Sequence, residues 1–155
     1  MIAVDLSDIN WTVAEFPALG CGHLYAILAA RAAVFVVEQN CPYQDLDGLD
    51  VHGIHLAATD RQGQVLAYAR ILPPGWRYDE PSIGRVLTTA IGRGQGLGRV
   101  LMNRALAETE RRFPGQSIRI SAQQYLEKFY ASLGFETVRG PYLEDDIPHL
   151  EMLKQ

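Results

Sequence analysis

Gly84-Arg85-Val86-Leu87-Thr88-Thr89-Ala90-Ile91-Gly92-Arg93-Gly94-Gln95-Gly96-Leu97-Gly98-Arg99 joins two kinds of sequence. Its first part is apolar and β-branched, and a strand is predicted over Ser82 to Thr89. Its second part places glycine at 92, 94, 96 and 98. A helix is predicted next, over Leu97 to Phe113. There Leu101, Met102, Ala105, Leu106, Thr109 and Phe113 share one face, while Arg99, Asn103, Glu110 and Arg111 fall elsewhere. Pro114-Gly115 stops it. A strand that passes through a glycine-rich turn into a helix makes a phosphate cradle. Glycine lets the backbone approach a ligand closely, and the unpaired N–H groups at the helix start, with the helix dipole behind them, attract an anion. The bland alternative is a helix start without a ligand, against which stands the entropy lost by ordering so many glycines.

Spacing excludes two familiar cradles. A GxGxxG fingerprint begun at Gly92 ends on Leu97, and one begun at Gly94 ends on Arg99. A Walker loop needs a Gly-Lys pair, and the chain has none. What stands here is RxxGxG, at Arg93, Gly96 and Gly98. Preceded by a strand, it resembles the acetyl-CoA pyrophosphate loop of the GNAT superfamily of N-acetyltransferases. Phe129-Tyr130-Ala131-Ser132-Leu133-Gly134-Phe135 resembles the FYxxxGF segment of that superfamily. Val34-Phe35-Val36-Val37-Glu38-Gln39-Asn40-Cys41-Pro42-Tyr43-Gln44-Asp45-Leu46-Asp47 and the terminal Ile147-Pro148-His149 resemble its ElaA-like subfamily. The resemblance spans nearly the whole chain.

That resemblance implies one N-acetyltransferase domain over residues 1–155. The fold it implies is α/β, a central mixed β-sheet with helices on both faces, and acetyl-CoA is the implied co-substrate. Direct transfer to a primary amine of a small molecule or peptide is implied, with no acyl-enzyme on Cys21 or Cys41. The cofactor would lie along Val86, Leu87 and Thr88, with a backbone N–H near Val86 to Leu87 as oxyanion donor. Its phosphates would meet Arg93, Gly94, Gln95, Gly96, Leu97, Gly98 and Arg99, and Ala122 and Gln123 would form the opposite wall. Tyr130 resembles the tyrosine that protonates the departing thiolate; its bland alternative is packing on the sheet.

Acetyl transfer also needs a base, because a free alkylamine has a pKa of ~10. Glu38 ends an apolar helix predicted over His23 to Gln39, where a carboxylate is expensive unless paired or used. Arg31, two turns earlier, is its candidate ion-pair partner. His149, after Pro148, is the rival base, and a water chain ending on either residue is a third route. Asp45 and Asp47 lie in an acidic loop, Tyr43 to His52. They either sit in solvent or attract a cationic amine. Calcium is not expected there, since Leu49 stands where an EF-hand wants an oxygen ligand. No metal is expected, and His52 and His55 are assigned no role.

Around these motifs the chain reads as short, compact segments. Strands are expected over Asn10 to Phe16, Ile54 to Thr59, Gln64 to Leu72 and Ser117 to Ala122. A short helix is expected over Gln124 to Leu133, and a closing strand pair over Phe135 to Arg139 and Pro148 to Leu153. The 155 residues suit one domain, and 48% hydrophobic with 21% charged residues is globular, not disordered. A formal net charge of −4 argues against nucleic acid and anionic membrane partners. Met1 to Asp8 lacks a basic region followed by an apolar run, so no signal peptide is expected. Leu24 to Val37 is shorter than the ~20 residues of a membrane span and contains Arg31. A cytoplasmic protein is the expectation, and a homodimer is left open. Two other functions stay open beside acetyl transfer: an acyl-CoA-binding sensor that has lost the chemistry, and an acyl-homoserine-lactone-synthase-like acyltransferase.

Overall fold

In the computed structural model residues 5–155 are described. Residues 1–4, which open the segment read above as lacking a signal peptide, lie outside the described residues. The chain forms a seven-stranded sheet in the order β1-β2-β3-β4-β5-β7-β6. The strands are β1 Asn10–Glu15, β2 Ile54–Thr59, β3 Val65–Leu72, β4 Ser82–Thr88, β5 Ile118–Gln123, β6 Glu136–Glu144 and β7 Ile147–Lys154. Neighbours run antiparallel except β4 and β5, which are parallel. Among the described residues three α-helices pack on this mixed sheet: α1 Cys21–Arg31, α2 Leu97–Arg112 and α3 Glu127–Ala131.

Every residue of β2 and β3 is buried. Strands covered on both faces read as near-continuous apolar runs, as Ile-His-Leu-Ala-Ala-Thr and Val-Leu-Ala-Tyr-Ala-Arg-Ile-Leu do. On one face α2 buries Leu97, Leu101, Met102 and Ala105 against Ile54, Leu56, Ala69 and Ile71, and α3 adds Tyr130 to the same core. On the other face Ile27, Ala30 and Val34 pack on Ala57, Tyr68 and Leu87. Burying one such aliphatic side chain stabilises the fold by ~1.5–3 kcal/mol.

β4 and β5 hold the feature that matters for function. They pair only at Ser82 and Arg119, with the Arg119 N–H donating to Pro81 O at 3.1 Å. β5 pairs along its whole length with β7 on its other side. From Ile83 to Thr88, β4 therefore presents one edge without a strand partner, and a cleft opens there.

The elements differ from expectation in three places. The first helix leaves α geometry at Arg31 and continues as a π-helix, Ala32–Glu38, whose wider turns end with the Gln39 and Cys41 N–H groups donating to Val34 O and Val36 O. The 18 residues Cys21–Glu38 are apolar and long enough to cross a membrane by length and composition, with a mean hydropathy of 1.5. Here the segment lies on the sheet with Arg31 turned inward and fully buried. Second, β6 runs on to Glu144, past Gly140-Pro141, two residues that weaken a strand signal and end the sequence prediction early. Asp145 and Asp146, at φ 52° and 62°, then make the hairpin turn into β7. Third, the helix expected over Gln124 to Leu133 splits into a 3₁₀ turn, Gln124–Leu126, followed by α3.

Candidate active site

The cleft between β4 and β5 encloses about 600 Å³. Val86, Leu87 and Thr88 form one wall and Ala122 and Gln123 the other; Glu38, Asp45, Arg93, Gly98, Tyr130 and His149 also line it. Gly94, Gln95, Gly96, Leu97, Arg99 and Asp47 do not face it directly.

The glycines of the turn have different reasons to be glycine. A Cβ on Gly92 would sit 2.3 Å from Leu66 O, so this glycine serves packing. Gly94 and Gly96 have φ of 81° and 73°, where an L side chain is strained. A Cβ on Gly98 would meet nothing within 4 Å, and this glycine faces the cleft. Among the described residues no side chain caps the start of α2, so none there accepts from the Leu97, Gly98 and Arg99 N–H groups. Sixteen residues of helix stand behind them. These features fit the phosphates of an acyl-CoA. Arg93 closes the turn onto β4: its Nε and Nη2 donate to Thr88 O at 3.1 and 2.9 Å. Gln95 Nε2 donates to Ile91 O, and Arg99 Nη2 to Ser132 Oγ at 3.0 Å.

The open edge of β4 supplies donors. The Thr89 N–H donates to Leu66 O, on the β3 side. Strand alternation then turns the Thr88 and Val86 N–H groups the other way, into the cleft. Tyr130 is 6% exposed, stands edge-on to Phe129 and Phe135, and lines the cleft. Burial and the neighbouring Tyr125 push its pKa well above the usual phenol value. Its proton therefore stays on at neutral pH, as a donor to a thiolate requires.

The two candidate bases differ. The pairing expected between Glu38 and Arg31 is not formed. The wider π turns carry Glu38 around to Arg93, with which it makes an ion pair, while Arg31 turns inward to Asp45 and Asp50. Glu38 thus belongs to the cradle's charge balance. His149, on β7 opposite Gln123, is 7% exposed. Its Nδ1 donates to Ile147 O at 2.7 Å, and its Nε2 lies 3.3 Å from Glu144 Oε2. Glu144 also accepts from Arg77 Nη2 at 2.6 Å and from Ser121 Oγ at 3.3 Å. This cluster was invisible in sequence because Arg77, Ser121, Glu144 and His149 come from a loop and three strands.

The acidic loop corrects a further expectation. Asp45 and Asp47 neither sit free in solvent nor wait for a cation; arginines already hold both. Asp45 accepts from Arg31 Nε at 2.7 Å and Arg85 Nε at 2.8 Å, and Asp47 from Arg70 Nη1 and Nη2 at 2.8 Å each. Asp50 bridges Arg31 Nη1 and Arg70 Nη1 at 2.6 and 2.9 Å. Burial opposes ionisation of Asp47, but hydrogen bonds from Arg70 and the Leu49 N–H, with the charges of Arg70 and Arg85, hold its pKa well below the usual carboxylate range. Burial likewise opposes the charge on Arg31, and the hydrogen bond to Asp50 with the charges around it outweighs that. His55 completes the cluster: its Nε2–H donates to Asp50 O at 2.8 Å, so Nδ1 accepts from the Tyr68 hydroxyl at 2.6 Å. Burial lowers its pKa, and it stays neutral. The signal for this network in sequence was Arg70 inside an otherwise apolar strand. Gly53 leaves room for it, since a Cβ there would lie 3.1 Å from Arg70 Cγ. Among the described residues no group of three His, Cys, Asp or Glu side chains converges to hold a metal.

Comparison with known proteins is consistent along the chain. Residues 30–155 match a family model described as an acetyltransferase (GNAT) domain. A UPF0039 protein of Synechocystis is 42% identical over 146 residues, 94% of this chain and 95% of its own. Protein ElaA of Escherichia coli is 40% identical over 149 residues, 95% of this chain and 97% of its own. The crystal structure of an acyl-CoA N-acyltransferase from Pseudomonas aeruginosa superposes with a TM-score of 0.90 at 46% identity, covering 95% of this chain and 99% of that one.

Proposed function

This chain belongs to the GNAT acetyltransferase family and is ElaA-like, and from that premise we propose that it transfers an acetyl group from acetyl-CoA directly to a primary amine. One observation carries the reading: the unpaired edge of β4 leads straight to an uncapped helix start at which Gly98 leaves open space. The edge holds an extended chain by backbone pairing, and the helix start holds its phosphates. When bound, acetyl-CoA supplies the activated acyl group.

The chain's own residues do the rest. The Val86 N–H donates to the acyl oxygen as it gains negative charge. Such a donor, fixed in a site poor in water, is worth ~10²–10³ in rate. Tyr130, kept protonated by burial, gives its proton to the departing sulfur. His149 takes the proton of the amine. With Nδ1–H spent on Ile147 O, Nε2 is the ring atom left to take that proton, and Glu144 beside it steadies the charge after uptake. The acceptor is a small-molecule or peptide amine that enters beside the β6–β7 hairpin.

Calorimetric titration of acetyl-CoA into wild type and Gly98→Glu tests the cradle. The new side chain has room but puts negative charge at the phosphate site. Wild type should bind, and the variant should fold normally yet lose affinity by about tenfold or more. Equal binding, or none to wild type, would sink the assignment. Thiol release with a panel of amines then tests transfer, and release with none of them would leave a binding protein without the chemistry. Tyr130→Phe should lower kcat by ~10² with acetyl-CoA affinity kept, as loss of a general acid does.

A further inference from the structure

Four described non-glycine residues have positive φ: Asn40, Arg85, Asp145 and Asp146. Three lie in turns. Arg85, at φ 51°, lies inside β4. The strand register explains its place. Tyr68 stands opposite Leu87 and Arg70 opposite Gly84, so Arg85 and Val86 together face the single residue Ala69. This is a β-bulge, with its first residue left-handed. Glycine is the residue that takes that conformation freely. A glycine is present one position earlier, at 84, where φ is ordinary. The strand thus keeps an arginine in a backbone conformation that disfavours it, and the side chain has to give the reason.

That side chain is clamped. Arg85 Nε donates to Asp45 Oδ1 at 2.8 Å, and Nη2 donates to Asp45 O at 2.9 Å and to Asp47 Oδ2 at 3.4 Å. Both aspartates are in turn locked to Arg31 and Arg70, whose side chains are 0% and 1% exposed. Three aspartates and three arginines balance in charge. The buried members tie the acidic loop to the end of α1 and to β3. Arg85 is the member that reaches from this anchor to the open edge of β4. The peptide it controls is the one joining it to Val86, whose N–H faces the cleft.

We propose that Arg85 is a positioning residue for acyl transfer: clamped by Asp45 and Asp47, it holds the β4 bulge so that the Val86 N–H points at the reacting carbonyl. This rests on the cleft being the acyl-CoA site. The acidic loop is then neither a cation trap nor a solvated surface. It is the fixed end of a strut.

Two variants test it. Arg85→Gly permits the left-handed backbone and removes the clamp; Arg85→Lys keeps the charge but replaces a planar two-point fork with one ammonium. Each is followed by circular dichroism, by calorimetric titration of CoA, and by thiol release with the best amine. Because the phosphates would be held at the glycine turn and the start of α2, away from the bulge, Arg85→Gly should bind CoA within about threefold of wild type. Its kcat should fall about tenfold or more, toward the ~10²–10³ lost when an oxyanion donor is deleted outright. Arg85→Lys should recover part of that rate. A glycine variant with wild-type kcat overturns the proposal, because the conformation alone would then suffice. Parallel loss of CoA affinity and kcat also overturns it, because the effect would be general unfolding of the site. If the glycine variant does not fold, Arg85→Lys decides: a reduced kcat with CoA affinity kept supports the clamp, and wild-type kcat overturns it. Failure of wild type to bind CoA removes the acyl-CoA reading and the clamp with it, a result distinct from normal binding with indifferent variants.

Discussion

The two ends of the cleft are built on opposite plans. At the proposed cradle the backbone of residues 94–98 acts locally: Gly94 and Gly96 shape the turn, and the start of α2 carries no side-chain cap. At the acidic loop, six charged residues from Arg31 to Arg85 do together what none does alone. The first should tolerate a change at Gly98 without loss of the fold, and the second should not tolerate one at Asp50. Backbone geometry can be dedicated to a ligand, whereas a buried charge must first be balanced before it can serve any function.

Substitutions can break or sharpen that contrast. The largest effect should come from Asp50→Ala, which strands Arg31 and Arg70 beneath the surface. Removing one partner of a buried ion pair destabilises by ~3–5 kcal/mol, read as a fall in the urea midpoint; a midpoint within error of wild type would show the network to be ornamental. Gly92→Ala should come next, at ~1–3 kcal/mol, because its Cβ must push Leu66 O away from 2.3 Å. Gly98→Glu, six residues on, should change stability by less than ~0.5 kcal/mol while weakening acetyl-CoA binding. A Gly98→Glu that unfolds, or a Gly92→Ala that loses only ligand, would erase the distinction drawn between these glycines.

The smallest expected effect is on pH dependence. Asp47 has a lower pKa folded than unfolded, so the stability it contributes is fully present above the unfolded carboxylate value of ~3.9. It is lost progressively as pH falls below that value toward the folded pKa. Asp47→Asn should therefore flatten the acid limb of a thermal-midpoint profile below about pH 4, with no change above it in slope. A slope unchanged by the substitution would contradict the clamping of Asp47.

Much of the fold was legible because its signals are short-ranged. The buried runs of β2 and β3, the amphipathic face of α2 and the strand-turn-helix at 84–99 each announce themselves within one turn or one strand. The sequence also singled out Tyr130, which the structure places, buried, in the cleft wall. The candidate pair of Glu38 with Arg31 does not form because it rests on α-helical spacing of 3.6 residues per turn, and the π-helix over Ala32–Glu38 breaks that period. Asp45 and Asp47 were misread because an acidic loop looks solvated until its arginines are found, and these lie 14 to 40 residues away in the chain.

The amino-acid sequence by itself determined most of the strands, the amphipathic helix α2 and the glycine-rich turn before it, since hydrophobic periodicity and glycine conformation act between neighbours. Only the tertiary structure decided which charges meet: Arg93 with Glu38, Arg85 with Asp45 and Asp47, His149 with Glu144. A charge takes whichever opposite partner the packing brings within about 3–4 Å, and that distance is set by how the elements pack, not by separation along the chain.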